Sequence, residues 1–351
     1  NASQRTDISD PDVIYKFAKL VGNQLQLDYL FVLTVADITA TNPTLWTAWK
    51  AALMHQLYSE TKRALQRGLE NPVDRSVWVD SNRLSAINQL AELGIDEESA
   101  RAIWGNVDDE FFLRERADDI ATYTAAIAAQ GDSSDPVILI QDAGVEVPIA
   151  TQIFIHTKGI NNVFPTTAAT LDHLQLNIQD ARLHRDTEGH TFDTFYVLNE
   201  HNEPFGQKTE MLLKIQRTLS ETLKNPTPAM FNVNRRTPRH LKHFTMRTIA
   251  SISNDIGKSA TILEVITPDR PGLLAHLGRI FMQFRLRLLS AKIATLGERV
   301  EDVFSLVDMD YQPLSDAAFC EQLRDTICRE LDARNKEDIE GAPLQKMKLW
   351  Q

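Results

Sequence analysis

The chain has 351 residues, 43% hydrophobic and 24% charged, with a formal net charge of −11 and two cysteines. That length holds two or three domains, and the composition is that of a globular protein able to bury substantial cores. The acidic balance argues against general binding to nucleic acid or an anionic membrane surface. Cys320 and Cys328 are too few for a disulfide framework or a multi-cysteine metal site, and no apolar run approaches the ~18 residues of a membrane span. A reducing, cytoplasmic location is expected. The first residue is Asn rather than Met, which suggests a piece of a longer protein.

In chain order, Asp10-Pro11 opens a helix expected over 12–27, with Val13, Phe17, Leu20 and Val21 on one face. The run YLFVLTVADI, 29–38, is too uniformly apolar for its period to decide between helix and strand; its length and neighbours favour helix. Asn42 and Pro43 start a long helix reaching about Gly68. Further helices are expected over 77–93, 97–104 and 115–130, with Gly94 and Gly131 as stops, so residues 1–130 read as all-α. Asp37 stands in the apolar run. A buried Asp costs several kcal/mol unless it is capped, paired or metal-bound, and the residues alone leave those options open.

Residues 131–148 read as a linker with one strand, Val137 to Ile140. A first βαββαβ sandwich is expected over 149–253: strand 151–156, helix 163–174, strands 177–184 and 191–198, helix 208–223 and a closing strand 244–252. Its turn, TKGINNVF, offers Gly159 for flexibility and Asn161 or Asn162 as a cap. A second sandwich is expected over 259–337, followed by a tail, 338–351. IQDARLHRDTEGHTFDTFYVL in the first mirrors SAKIATLGERVEDVFSLV in the second, an internal repeat.

The second repeat has the fuller set of turn signals. Thr261 to Thr267 reads as a strand, Asp269 as a cap, Pro271 as first-turn residue, and Gly272 as a place where another group can approach the backbone. Leu274, Leu277, Phe281 and Phe284 follow at helical spacing, and Gly297-Glu298 reads as a hairpin turn. After its second helix the segment ARNKEDIEGAP is too polar for a strand. The open sheet edge must therefore be filled by the tail, 344–350, or by Val137 to Ile140, and the stronger β character of PVILI favours the latter. The histidines give no H-x-x-x-H or H-E-x-x-H spacing, and His240 and His243 read as a solvated basic connector. Neither a phosphate-cradling Gly-rich loop nor a G-x-S-x-G turn is found.

The words PDRPGLLAHLGRIF and SAKIATLGERVEDVFSL resemble the ACT domain, a small-molecule-sensing module that usually binds amino acids. The ERVEDVF ending resembles the last ACT repeat of the PII uridylyltransferase/uridylyl-removing enzyme family, and LTVADITATNPTLW resembles the end of that family's HD phosphohydrolase domain. The resemblance covers nearly the whole chain. It implies an α+β architecture: the end of a helical HD-type domain, then two ferredoxin-like sandwiches. It implies that Asp37 matches the last metal ligand of the HD domain. The other three ligands have no counterpart here, and the nucleotidyltransferase domain would lie upstream, so this chain alone is expected to be inactive. The parent would use magnesium or manganese, transfer UMP from UTP to the PII signal protein, and remove it again under glutamine control. UTP and UMP would be handled only by the missing upstream domains.

An amino acid presents a carboxylate, an ammonium and a side chain. The helix N-terminus near Pro271 suits the carboxylate, Asp269 and backbone carbonyls suit the ammonium, Gly272 clears space, and Leu273 or Leu274 can cover the stem. Arg270 is either a contact or a solvent-facing charge. The effector site is therefore expected at Asp269, Arg270, Pro271, Gly272, Leu273 and Leu274, with Asn162 the weaker candidate in the first repeat. The rival expectation is a non-catalytic amino-acid-binding regulator built on ACT repeats.

Overall fold

The computed structural model describes residues 10–41, 46–67, 75–143, 149–158, 162–186, 188–206, 209–225, 246–255, 260–296 and 299–340. The Asn42-Pro43 start, Gly159, Asn161, the connector with His240 and His243, the Gly297-Glu298 turn and the tail strand at 344–350 lie outside them. The chain divides into two compact units, one of Asn1–Asn161 with Gln175–Asn225, the other of Asn162–Leu174 with Pro226–Gln351.

In the first unit α1 (Pro11–Val21) is capped by Asp10, whose carboxylate accepts the Asp12 N–H at 2.9 Å. Gly22, at φ 83°, ends it, so the single helix expected over 12–27 is two: α2 runs Gln24–Thr41 and includes the ambiguous 29–38 segment. Alpha-helical α3 (Ala48–Arg67) packs Leu53, Leu57 and Ala64 against Ile14 and Phe17 of α1. A bundle follows, α4 (Arg75–Glu92), α5 (Glu97–Trp104), α6 (Asp109–Arg114) and α7 (Ala117–Gln130), around Leu90, Trp104, Phe111, Phe112, Ile120 and Tyr123. The short α6 was not expected. It is nucleated by Asp108, which accepts the Phe111 N–H, and held by its buried phenylalanines.

Strands β1 (Val137–Ala143), β2 (Ala150–Thr157), β3 (Asn177–Arg185) and β4 (Thr191–Leu198) form an antiparallel arrangement in the order β1-β2-β4-β3. One face is covered by the helical bundle: the Tyr123 ring stacks on Phe154 at 3.8 Å and 5°. Gln152 on that face donates to the hydroxyls of Tyr123 and Tyr196, and Arg182 lies 3.5 Å from the buried Glu115 carboxylate. Helix α9 (Thr209–Lys224) buries Ile215, Leu219 and Leu223, and its Gln216 side chain donates to the Ile138 carbonyl of β1 at 3.1 Å.

In the second unit β5 (Ile249–Asp255), β6 (Ala260–Pro268), β7 (Arg287–Lys292) and β9 (Arg299–Val307) are antiparallel in the order β7-β9-β6-β5, with the two-residue β8 (Thr295–Leu296) on β9. Helix α10 (Leu273–Gln283) lies after β6, and α11 (Ala317–Glu340) after β9. Helix α8 (Val163–His173) belongs to this unit by its contacts and packs against α10. The approach is close at Gly278, where an added Cβ would lie 2.9 Å from Pro165 Cβ and 3.2 Å from its Cα.

The fold is α+β with ACT-like sandwiches, as expected, but both edge strands are corrected. Val137–Ala143 pairs with β2 of the first repeat, residue by residue from Val137↔His156 to Ala143↔Ala150, and so does not complete the second repeat. The strand expected to close the first repeat instead pairs with β6, from Ile249↔Ile266 to Asp255↔Ala260. Each repeat takes its edge strand from the residues just before it. A short antiparallel hairpin costs less chain entropy than a return across the sheet.

Candidate functional site

The turn between β6 and α10 forms where an apolar strand runs out at Thr267-Pro268 and a helical apolar period begins at Leu273. Thr267 is anchored by a hydroxyl–hydroxyl hydrogen bond to Thr248 at 2.9 Å. The helix starts two residues later than expected. Its N-cap is Gly272, left-handed at φ 74° and ψ 13°, and neither Asp269 nor Pro271 serves as cap or first-turn residue. The Leu273 N–H donates to the Arg270 carbonyl at 3.3 Å, and the His276 N–H to the Gly272 carbonyl at 3.0 Å. Gly272 suits this backbone angle, where a Cβ costs most residues roughly 1–2 kcal/mol.

The six expected residues come together on this turn. Asp269, Pro271 and Leu274 are half-buried, and Gly272 and Leu273 are buried. Arg270 is 4% exposed, which overturns its alternative as a solvent-facing charge; its Nη1 donates to the Asp269 carbonyl at 3.3 Å. A buried guanidinium and a helix N-terminus, each able to attract a carboxylate, thus lie next to each other on the turn.

One residue of this neighbourhood was missed. Asp302 on β9 lies opposite Val265 of β6 and is 1% exposed. Its Oδ1 accepts the Ala294 N–H at 3.3 Å, while Oδ2 has no partner. Burial holds its carboxyl well above the usual carboxylate range, and the charge of Asp269 pushes it further. The signal was available in the sequence: Val300, Asp302, Phe304 and Leu306 are the inward positions of one strand, and an Asp among them is out of place. The first repeat carries Asp193 at the same point of β4. It is also buried, with one oxygen unpartnered, and burial raises its carboxyl to about 7.

The first-repeat candidate differs. Asn162 is exposed and occupies the left-handed position at φ 62°, ahead of α8, but its side chain makes no cap hydrogen bond. It supplies the backbone angle rather than the cap that was expected.

Asp37 sits on α2 and is exposed, not buried as its apolar surroundings implied. It shares a helical stripe with Tyr29 and Leu33, which are 62% and 66% exposed. Among the described residues it joins no cluster of three metal-capable side chains. No helix among them is long and apolar enough to cross a membrane.

Residues 74–126, the bundle α4–α7, match the family model described as "Uridylyltransferase GlnD fifth domain". Proteins named "Bifunctional uridylyltransferase/uridylyl-removing enzyme" align along nearly the whole chain. The one from Pseudomonas aeruginosa (strain LESB58) is 47% identical over 337 residues, 96% of this chain and 37% of the relative. That from Pseudomonas syringae pv. syringae (strain B728a) is 45% identical over 335 residues, and that from Ectopseudomonas mendocina (strain ymp) 47% over 330. The chain therefore spans about 37% of the length of the curated relatives it matches.

Proposed function

Because this chain belongs to the family of bifunctional uridylyltransferase/uridylyl-removing enzymes, we propose that it is the glutamine-sensing regulatory portion of an enzyme that attaches UMP to the PII signal protein and removes it. The observation carrying the sensing role is the β6–α10 turn. It brings together a left-handed glycine, a buried Arg270, a helix N-terminus and the Asp269 carboxylate, whose charge acts on the buried Asp302 carboxyl. An amino acid's carboxylate matches the guanidinium and the helix N-terminus, and its ammonium the Asp269 carboxylate. Leu273 and Leu274 flank the space for its aliphatic stem. The first repeat, with Asn162 in place of Gly272, binds glutamine weakly or not at all.

Calorimetric titration of glutamine tests this. Gly272→Ala is expected to lower affinity at least about tenfold, since a close contact tolerates no added carbon, while Asn162→Ala leaves it unchanged. Unchanged affinity in Gly272→Ala with loss in Asn162→Ala would move the site to the first repeat.

The parent's catalytic steps are assigned to parts of the relatives that this chain does not span. A hydrolytic metal centre, magnesium or manganese in the parent, needs several converging ligands, and Asp37 contributes one carboxylate. Its exposed stripe with Tyr29 and Leu33 fits a helix that packs against the rest of the phosphohydrolase domain. The purified 351-residue chain is expected to release no UMP from uridylylated PII. Turnover that Asp37→Ala abolishes would refute this.

A further inference from the structure

We propose that the outer sheet face of the first repeat is a dedicated seat for the helical bundle α4–α7, with Arg182 as the positioning residue, so that the bundle and strands β1–β4 act as one body. The sheet thereby serves as the bundle's mount, whichever repeat binds the effector.

Four directly paired residues cross the sheet on this face. Asp180 of β3 opposes Tyr196 of β4, Tyr196 opposes Gln152 of β2, and Gln152 opposes Gln141 of β1. The outer face of an antiparallel sheet commonly meets water, and polar residues there are ordinary. Here Asp180, Tyr196 and Gln152 are 1%, 7% and 2% exposed, so they need partners inside the protein. The row and the bundle supply them. Gln141 Nε2 donates to Asp119 Oδ1 of α7 and to Gln152 Oε1, each at 2.9 Å, and Gln152 donates onward to the Tyr123 and Tyr196 hydroxyls. Arg182 lies over the Tyr196 ring, 5.0 Å from its centroid, with Nε 3.4 Å from Asp180 Oδ2.

At the far end Arg182 reaches the corner between α6 and α7. Its Nη1 donates to the Arg114 carbonyl and stands 3.5 Å from Glu115 Oε1. Asn82 of α4 closes the same corner, donating to the carbonyls of Phe112 and Glu115 at 2.6 and 2.7 Å. Glu115 is 2% exposed, and neither of its carboxylate oxygens has a hydrogen-bond partner among the described residues. Burial raises its carboxyl, and the Arg182 charge opposes that rise. Asp119 on α7 and Asp180 and His184 on β3 also act on it, while Arg114 on α6 is paired with Glu110 at 3.0 Å. Glu115 and Asp180 thus share the Arg182 guanidinium. Apolar contacts such as Tyr123 on Phe154 add area without choosing a position; a buried ion pair adds little net stability but selects one arrangement.

The equivalent row of the second repeat is Ser290, Ser305, Ile262 and Ser253, with Lys292 in place of Arg182. Those short or apolar side chains cannot build the same chain of hydrogen bonds, so the seat is particular to the first repeat.

The test uses the 351-residue chain and segment-resolved amide hydrogen exchange, which reads the opening of each part separately. In wild type the bundle and β2–β4 are expected to share one opening. Arg182→Met is expected to raise that opening about 100- to 1,000-fold at pH 7, because it leaves buried carboxylates without their cation. Glu115→Gln placed in Arg182→Met should recover part of the loss, and Arg182→Lys should keep part of the protection without the guanidinium fork. A purely packing role would give a deficit independent of pH; the deficit is instead expected to shrink as pH falls and Glu115 protonates. In the double variant Arg182→Met/Glu115→Leu, overall stability should approach that of wild type while the bundle opens ahead of the strands. Should Arg182→Met fail to fold, Arg182→Lys and the double variant decide. Separate openings in wild type, wild-type protection in Arg182→Met, or a shared opening that persists in the double variant would overturn the proposal.

Discussion

Asn162 and Gly272 occupy the same place in the two repeats, as do Gln175 and Arg285, and Asn202 and Tyr311; every one of these residues has a positive φ. The bulge in β3 between Ile178 and Asp180 returns in β7 between Leu288 and Ser290. Asn199 accepts the N–H groups of His201 and Glu203, just as Asp308 accepts those of Asp310 and Gln312. Thr151 and Thr261 each take a loop N–H, from Phe205 and Leu314. Against this shared frame individual side chains differ: Asn162 for Gly272 at the turn, and His156 and His190 for Ile266 and Arg299 at the hairpin. Backbone geometry is thus repeated while the side chains placed on it diverge.

The buried acids, which the repeats share, give the largest expected effect. A folded Asp193 with its carboxyl near 7, against roughly 3.9 when unfolded, contributes full stability below the unfolded value. That stability is lost as pH rises through about 7, because the folded state must then bury a charge. Asp193→Asn removes the loss. It is expected to be more stable than wild type by up to roughly 4 kcal/mol near pH 8, by about 1–2 kcal/mol near pH 5, and similar to it near pH 4, in denaturant melts across that range. Wild-type stability that is flat across it would show that Asp193 is solvated in the folded state. Asp302→Asn should act in the same direction, since burial raises that group too.

A smaller effect separates the repeats at their first helices. Gly278 corresponds to Ala168, and an added Cβ there would lie only 2.9 Å from Pro165 Cβ and 3.2 Å from its Cα. Gly278→Ala gains up to about 1 kcal/mol in helix propensity but forces α8 and α10 apart, with an expected net loss of about 1–2 kcal/mol in thermal unfolding. A stabilised variant would mean that the helices can separate without cost.

The smallest stability effect is the sharpest comparison. Gly272→Asn copies the residue that the first repeat uses at φ 62°. It should change stability by less than about 1 kcal/mol while lowering glutamine affinity, whereas β-branched Gly272→Val should lose stability as well. Intact glutamine binding in a folded Gly272→Asn would show that the left-handed angle, rather than the missing side chain, is what the turn needs.

Much of this molecule was legible in its residues. Gly94 and Gly131 stand just past the ends of their helices, β4 and β9 lie where strands were expected, and the PDRPGLL turn stands where an apolar strand gives way to a helical period. These are local interactions, decided within a few residues and therefore written in sequence order. What only the tertiary structure decided is non-local. PVILI had the β character of an edge strand, but which edge it joined depended on the entropy of closing the connecting chain, and the shorter closure prevailed. Asp37, in an apolar run, is exposed, and Arg270, in a polar turn, is buried, because burial is set by what packs above a residue rather than by its neighbours in sequence. The same holds for His156, which stands far from 186–190 along the chain. The pairing of β2 with β4 carries it to that hairpin, and the Thr191 carbonyl then fixes which of its nitrogens carries the proton.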